Sequence, residues 1–126
     1  MIEVRVNHQV EDQRVQDLLC CALEGGSNYW YTTFEKRYPE DQAKDSLGLV
    51  YPHLELPFTG GSLIFHIADD PDHDSKVLDL AAVQRGLQLL ADKYPAHWSD
   101  FMQENEDAIT GDLFLQLALF GEEVFC

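Results

Sequence analysis

Basic residues are scarce. Eight lysines and arginines stand against 23 aspartates and glutamates in 126 residues, a formal net charge of -15 at neutral pH. So acidic a surface repels a phosphate backbone and argues against direct nucleic-acid binding. It suits attraction to a basic partner, imitation of nucleic acid, or simple solubility. The imbalance grows along the chain, from 10 acids against 5 bases in residues 1–60 to 13 against 3 in residues 61–126. Cysteine is also sparse. Cys20, Cys21 and Cys126 are odd in number, two are adjacent, and no CxxC pair is present. That excludes a disulfide framework or a zinc knuckle and suits reduced thiols in an intracellular protein. No run approaches the roughly 18 apolar residues of a membrane span. The opening "MIEVRVNHQV" lacks the basic and apolar regions of a signal peptide, so the expected location is the cytoplasm.

Catalytic signatures are missing too. There is no GxSxG, no phosphate-binding loop, no dinucleotide fingerprint and no HExxH. His8, His53, His66, His73 and His97 are scattered without helical ligand spacing. Asp69, Asp70, Asp72, His73 and Asp74 resemble the start of a calcium loop. With Asp70 first, however, Ser75 stands where the turn needs glycine and Ala81 where a bidentate glutamate is needed. An exposed acidic turn is the better reading. The expectation is a non-catalytic protein without catalytic residues, metal or cofactor.

What is present makes one domain. The chain is 45% hydrophobic and 11% aromatic, enough for a core. "IEVRV", residues 2–6, alternates as a half-buried strand does. "EDQRVQDLLCCALE" places Val15, Leu18, Leu19, Ala22 and Leu23 on one helical stripe, which Gly25 or Gly26 can stop by taking a backbone closed to other residues. "NYWYTTF", residues 28–34, is rich in strand formers. "EKRYPEDQAKDS" reads as loop, and the prolines in "LGLVYPHLELPF" limit any strand there to a short or edge one. "LIFHIA", Leu63–Ala68, reads as the strongest strand, and "DDPDHDSK" as loop. Asp79 caps a helix over Leu80–Lys93 with Val83, Leu87, Leu90 and Ala91 inward, and Tyr94-Pro95 breaks it. A short helix follows in "AHWSDFMQEN", burying Trp98, Phe101 and Met102. Asp107 opens a last helix, "AITGDLFLQLALF", with Ile109, Leu113, Leu117 and Phe120 inward, and Gly121 closes it. "EEVF" adds a possible final strand. The fold class is α+β, a small antiparallel sheet packed on one face by three to four helices.

Two segments ask for more than a structural role. In "ALEGGSNYWY" a glycine stop runs straight into Asn28, Tyr29, Trp30 and Tyr31. Alternation along a strand turns Asn28 and Trp30 one way and the two tyrosines the other, so one pair can face a pocket. An aromatic face stacks on a base for about 1–3 kcal/mol, and Lys36 and Arg37 follow closely enough to meet phosphate. The plain alternative is that the aromatics are core. In "ENEDAITGD", Asn105 and Thr110 offer hydrogen bonds, Asp107 is accounted for as a cap, and Gly111 allows close packing against a neighbour.

Together, "LLCCALEGGSNYWY" and "GLQLLADKYPAHWSDFMQENEDAITGDLFLQLALFGEEVF" resemble a family of small phage- and prophage-encoded proteins. The chain is also similar to the anti-Thoeris sponges, which bind cyclic ADP-ribose signals without cleaving them. That resemblance implies a ligand site in which Trp30 stacks on adenine, Arg37 meets phosphate and Asn105 makes polar contacts; the reading of the two segments adds Asn28 and Thr110 as ligand-binding residues. The resemblance also implies a homo-oligomer in the host cytoplasm whose partner is a small nucleotide-like ligand. The charge favours a second reading. In it, Asp92, Asp100, Glu104, Glu106 and Asp112 form a nucleic-acid-like stripe that blocks a basic host protein of a defence complex.

Overall fold

A computed structural model describes residues 1–39, 47–68 and 75–126. The longest regular elements are two capped helices, α3 (Leu80–Lys93) and α5 (Ala108–Phe120). The Asp79 carboxylate accepts from Ala82 N–H at 2.9 Å and the Asp107 carboxylate from Thr110 N–H at 3.0 Å. Each thereby satisfies one of the four amides a helix start leaves unpaired. Gly121 ends α5 in the left-handed conformation, at φ 76°. Both helices run as their sequence reading requires.

The helix α5 is the centre of the fold. All residues from Leu113 to Leu119 are buried, so it is covered on every side rather than along one stripe. Helix α1 (Asp12–Cys21), α3 and the sheet lie against it. Ile109 is an exception to the expected core face, being 68% exposed. It sits in the first turn of α5, where the covered side is that of Thr110 and Gly111. In the short helix α4 (Pro95–Met102), Phe101 is buried and Trp98 half-buried, but Met102 is 43% exposed. With Phe101 and Trp98 turned inward, the position next to Phe101 faces out.

The described residues form a three-stranded antiparallel sheet in the order β1 (Tyr31–Arg37), β2 (Ser62–Ile67), β3 (Ser75–Leu78). Phe34 pairs with Phe65 and Lys36 with Leu63, and Leu63 pairs with Leu78 across the sheet. Leu63, Phe65 and Leu78 are buried. They make the face toward the helices, while Thr33, Glu35 and Arg37 face away. The fold is therefore the expected α+β arrangement.

Three expected strands take other forms. Residues 2–6 form no strand and lie exposed. "PHLE" and "LPF" form a short helix, α2 (Pro52–Glu55), and a 3-10 turn (Leu56–Phe58). Pro52 and Pro57 each sit in a first turn, where the missing N–H costs nothing. "EEVF" runs without regular structure, because its backbone is held by a side chain of α5. The strand expected at 28–34 begins later, at Tyr31, and continues through Glu35, Lys36 and Arg37. The acidic cluster Asp69–Asp74 lies outside the described residues.

Candidate functional site

The end of α1 and the start of α5 touch. After Cys21 the chain makes one wide turn, Ala22–Gly26, and leaves it at Gly25, whose φ of 155° favours glycine. Gly26 and Gly111 permit the contact. A Cβ on Gly26 would lie 2.4 Å from the Ala108 carbonyl oxygen, and one on Gly111 would lie 2.7 Å from the Ala22 nitrogen. Both distances are inside van der Waals contact with backbone that has no room to retreat. This is the reason for a glycine inside α5.

The approach brings the Ser-Asn-Tyr-Trp segment against Asp112. Its Oδ1 accepts from Ser27 Oγ and from Trp30 Nε1, each at 2.7 Å. Its Oδ2 accepts from the Tyr29 hydroxyl at 2.6 Å and from Gln116 Nε2 at 3.2 Å. All four donors are neutral. The carboxylate is fully hydrogen-bonded, and among the described residues no cation pairs with it. Burial and the hydrogen bond to Asp112 hold the Tyr29 hydroxyl protonated, with its pKa pushed up to about 12.

Gln116, one turn further along α5, is fully buried and extends the network. Its Oε1 accepts from Val124 and Phe125 N–H at 2.8 and 2.7 Å, and its Nε2 donates to the Phe125 carbonyl at 3.0 Å. These bonds lay residues 124–125 along the helix. They place the Phe125 ring flat on Trp30, with 5.6 Å between centroids and 2° between planes. Phe120 and Tyr31 meet the same indole edge-on.

A cleft of about 590 Å³ opens beside this network. It is lined by Gly25, Gly26 and Tyr29, by Ala108, Ile109 and Asp112 of α5, and by Glu123, Phe125 and Cys126. Tyr29 is 52% exposed there. Among the described residues no lysine, arginine or histidine lines it.

The five residues expected to bind ligand do not share a cavity. Trp30 is 1% exposed, and its ring and N–H are engaged by protein. Asn28 is exposed and accepts from the Tyr31 hydroxyl at 2.8 Å. Thr110 is 1% exposed, with Oγ1 2.9 Å from His97 Nδ1. Asn105 is exposed, its N–H bonded to the Asp100 carbonyl. Arg37 lies in a separate hollow of about 270 Å³ with Tyr38, Gly60, Gly61 and Asp79. The two segments do meet, but they meet around a carboxylate of the protein itself.

Of the tyrosine pair that the alternation set opposite Asn28 and Trp30, Tyr29 is the one beside the cleft, and Gln116 is a site residue that the sequence reading does not single out. A signal for Gln116 was present. Asp112 and Gln116 stand four apart on an otherwise apolar helix, and polar groups carried into a core need partners.

The carboxylates of the expected stripe are also divided. Asp92, Asp100 and Glu104 are exposed. Glu106 is bound bidentately by Arg14, at 2.7 and 3.1 Å, and its side chain is only 8% exposed. The hydrogen bond from Arg14 lowers its pKa. The thiols of Cys20 and Cys21 are raised by burial and by nearby acids, which keeps them protonated and poorly nucleophilic. Among the described residues no group of three or more His, Cys, Asp or Glu is placed to hold a metal ion, and no helix is long and apolar enough to cross a membrane. Compared with known proteins, the chain matches no family model, no curated protein and no solved structure.

Proposed function

We propose that this is a non-catalytic acidic binding protein that takes a basic side chain of a partner protein into the cleft between Tyr29 and Ile109, and so blocks a basic site on that partner. The observation that supports it most is the lining of that cleft. Glu123, and the negative charge of Asp112 whose oxygens are already taken up by protein donors, stand beside the exposed Tyr29 and Ile109, with no basic residue among the described residues of the lining. A guanidinium suits such walls, because its flat face stacks on a phenol ring while its edge donates to the Glu123 carboxylate. The net charge of -15 steers a basic partner toward the surface and makes the association sensitive to salt. The setting, a phage or prophage protein acting in the host cytoplasm against a defence complex, comes from the resemblance of the two sequence blocks.

Sequestration of a nucleotide signal draws less support. Trp30 presents no ring face to a base. The cleft offers carboxylates where a pyrophosphate needs cations, and Arg37 belongs to a different hollow.

Calorimetric titration with an arginine-rich peptide, at low and high salt, tests the proposal against adenine nucleotides and cyclic ADP-ribose isomers. The peptide binds, its affinity falls as salt rises, and Tyr29→Ala or Glu123→Gln weakens it further. Asp92→Asn, which removes the same charge outside the cleft, leaves affinity nearly unchanged. Nucleotide binding without peptide binding, or equal loss from Glu123→Gln and Asp92→Asn, overturns the reading.

A further inference from the structure

Residues 1–10 form neither helix nor strand. Ile2, Val4 and Val6 are 93%, 75% and 66% exposed, an unfavourable placement for three large aliphatic side chains in succession. Their spacing is that of a strand. In extended backbone all three fall on one face, and Glu3 and Arg5 fall on the other. The segment is anchored at its inner end, where Val10 packs on the core and the His8 ring lies 6.2 Å from Trp98.

Strand β1 is the complementary surface. It stands at the edge of the sheet, and among the described residues it pairs only with β2. An exposed seven-residue edge is a template for another strand. Its two faces are already distinguished. Phe34 and Lys36 lie across from Phe65 and Leu63 on the helix side, and Glu35 and Arg37 lie across from Ile64 and Ser62 on the outer side.

Charge selects one register. Set antiparallel with Glu3 opposite Arg37, residues 2–6 also place Arg5 opposite Glu35. Two opposite-charge pairs then form on the outer face. Val4 falls beside the Lys36 stem and Val6 beside Phe34, which extends the apolar face of the sheet. A slide of two residues one way sets Glu3 against Glu35, and the other way Arg5 against Arg37. A slide of one residue turns the aliphatic side chains outward.

We propose that residues 2–6 add as a fourth strand to β1 of a second copy of this chain, each copy giving its segment to the other across a two-fold axis. The second copy is the occupant because the charge pattern of the segment matches this chain's own β1. Among the described residues, moreover, neither residues 2–6 nor the outer edge of β1 pairs with another strand. The interface is reciprocal and closed, so it stops at two copies.

Charge reversal in trans tests this in the full-length protein. By sedimentation the wild type runs as a dimer that dissociates on dilution. Arg5→Glu alone and Glu35→Arg alone each face like charges in both interfaces and dimerise roughly tenfold more weakly or worse. Mixing the two variants restores the dimer, because each segment then meets an opposite charge on the other copy. Val4→Asp, at an exposed position, gives a folded monomer by circular dichroism. The proposal is overturned by a wild type that stays monomeric at millimolar concentration, by a mixture that behaves as the sum of its two components, or by a dimer indifferent to Val4→Asp.

Discussion

Trp30 and Asp112 are joined by a 2.7 Å hydrogen bond from the indole Nε1–H to Oδ1 across 82 positions of sequence. This bond ties the segment after the first helix to the start of the last. It explains the aromatic run behind a glycine stop. Ser27, Tyr29 and Trp30 each give a donor to one carboxylate, and the glycines let the backbones close enough for them to reach it.

Asp112→Ala removes the acceptor for two donors in fully buried side chains, Ser27 and Trp30. Unpartnered buried donors cost about 1–3 kcal/mol each. Urea unfolding should show a loss of roughly 3 kcal/mol. Asp112→Asn keeps one carbonyl oxygen for the same donors and should lose less.

Gly26→Ala and Gly111→Ala should each cost about 1–3 kcal/mol, the usual penalty for forcing extra volume into packed structure. The added carbon meets backbone atoms at 2.4 and 2.7 Å. At Gly25 a Cβ meets nothing within 4 Å, so Gly25→Ala is penalised only through its positive φ, by about 1–3 kcal/mol. Thermal unfolding of the three variants separates crowding from backbone strain.

The Tyr29 hydroxyl has a folded pKa of about 12 against an ordinary value of 10.0. The raised group stabilises the fold fully below pH 10, and that contribution is lost as pH rises toward 12. Ultraviolet difference titration should find a late-titrating tyrosine that disappears in Tyr29→Phe. The same variant should flatten stability against pH in that window.

Glu106 titrates with the opposite sign. Arg14 lowers its folded pKa below the ordinary 4.5. The pair therefore contributes above that value and is lost as pH falls through the lower folded one. Arg14 also donates to the Phe101 carbonyl at 2.6 Å and lies over the Phe101 ring at 4.9 Å. Charged hydrogen bonds of this kind are worth about 1.5–3 kcal/mol. Glu106→Gln should lose about 2 kcal/mol at neutral pH and show a shallower acid transition.

The helical half of the molecule was the legible part. Asp79, Asp107 and Gly121 mark helix ends by local chemistry, a side chain bonding an amide three residues on or a glycine turning left-handed, and no distant residue is needed to interpret them. Strand limits depend on what lies across. The step from Ser27 to Trp30 bends to reach Asp112, so β1 starts at Tyr31 rather than Asn28. Pro52 and Pro57 were read as strand limits although a first helical turn tolerates proline equally well. Ile2, Val4 and Val6 carry a strand pattern but pair with no strand among the described residues.

The candidate site was legible in its two halves and not in their pairing. Each segment shows a surplus of hydrogen-bonding and aromatic groups. Nothing local to residues 27–30 says that their donors converge on position 112. The same composition serves an adenine pocket or an internal carboxylate, and only the fold distinguishes them.

Hydrogen exchange of the two indole N–H groups tests most directly whether the aromatic segment is committed to Asp112. Trp30 is 1% exposed and bonded to the carboxylate, while Trp98 is only partly buried. The Trp30 indole proton should exchange only through global unfolding, far more slowly than that of Trp98, and should lose its protection in Asp112→Ala. Equal, rapid exchange of both indoles in the wild type, or a Trp30 signal unchanged in that variant, would contradict the account.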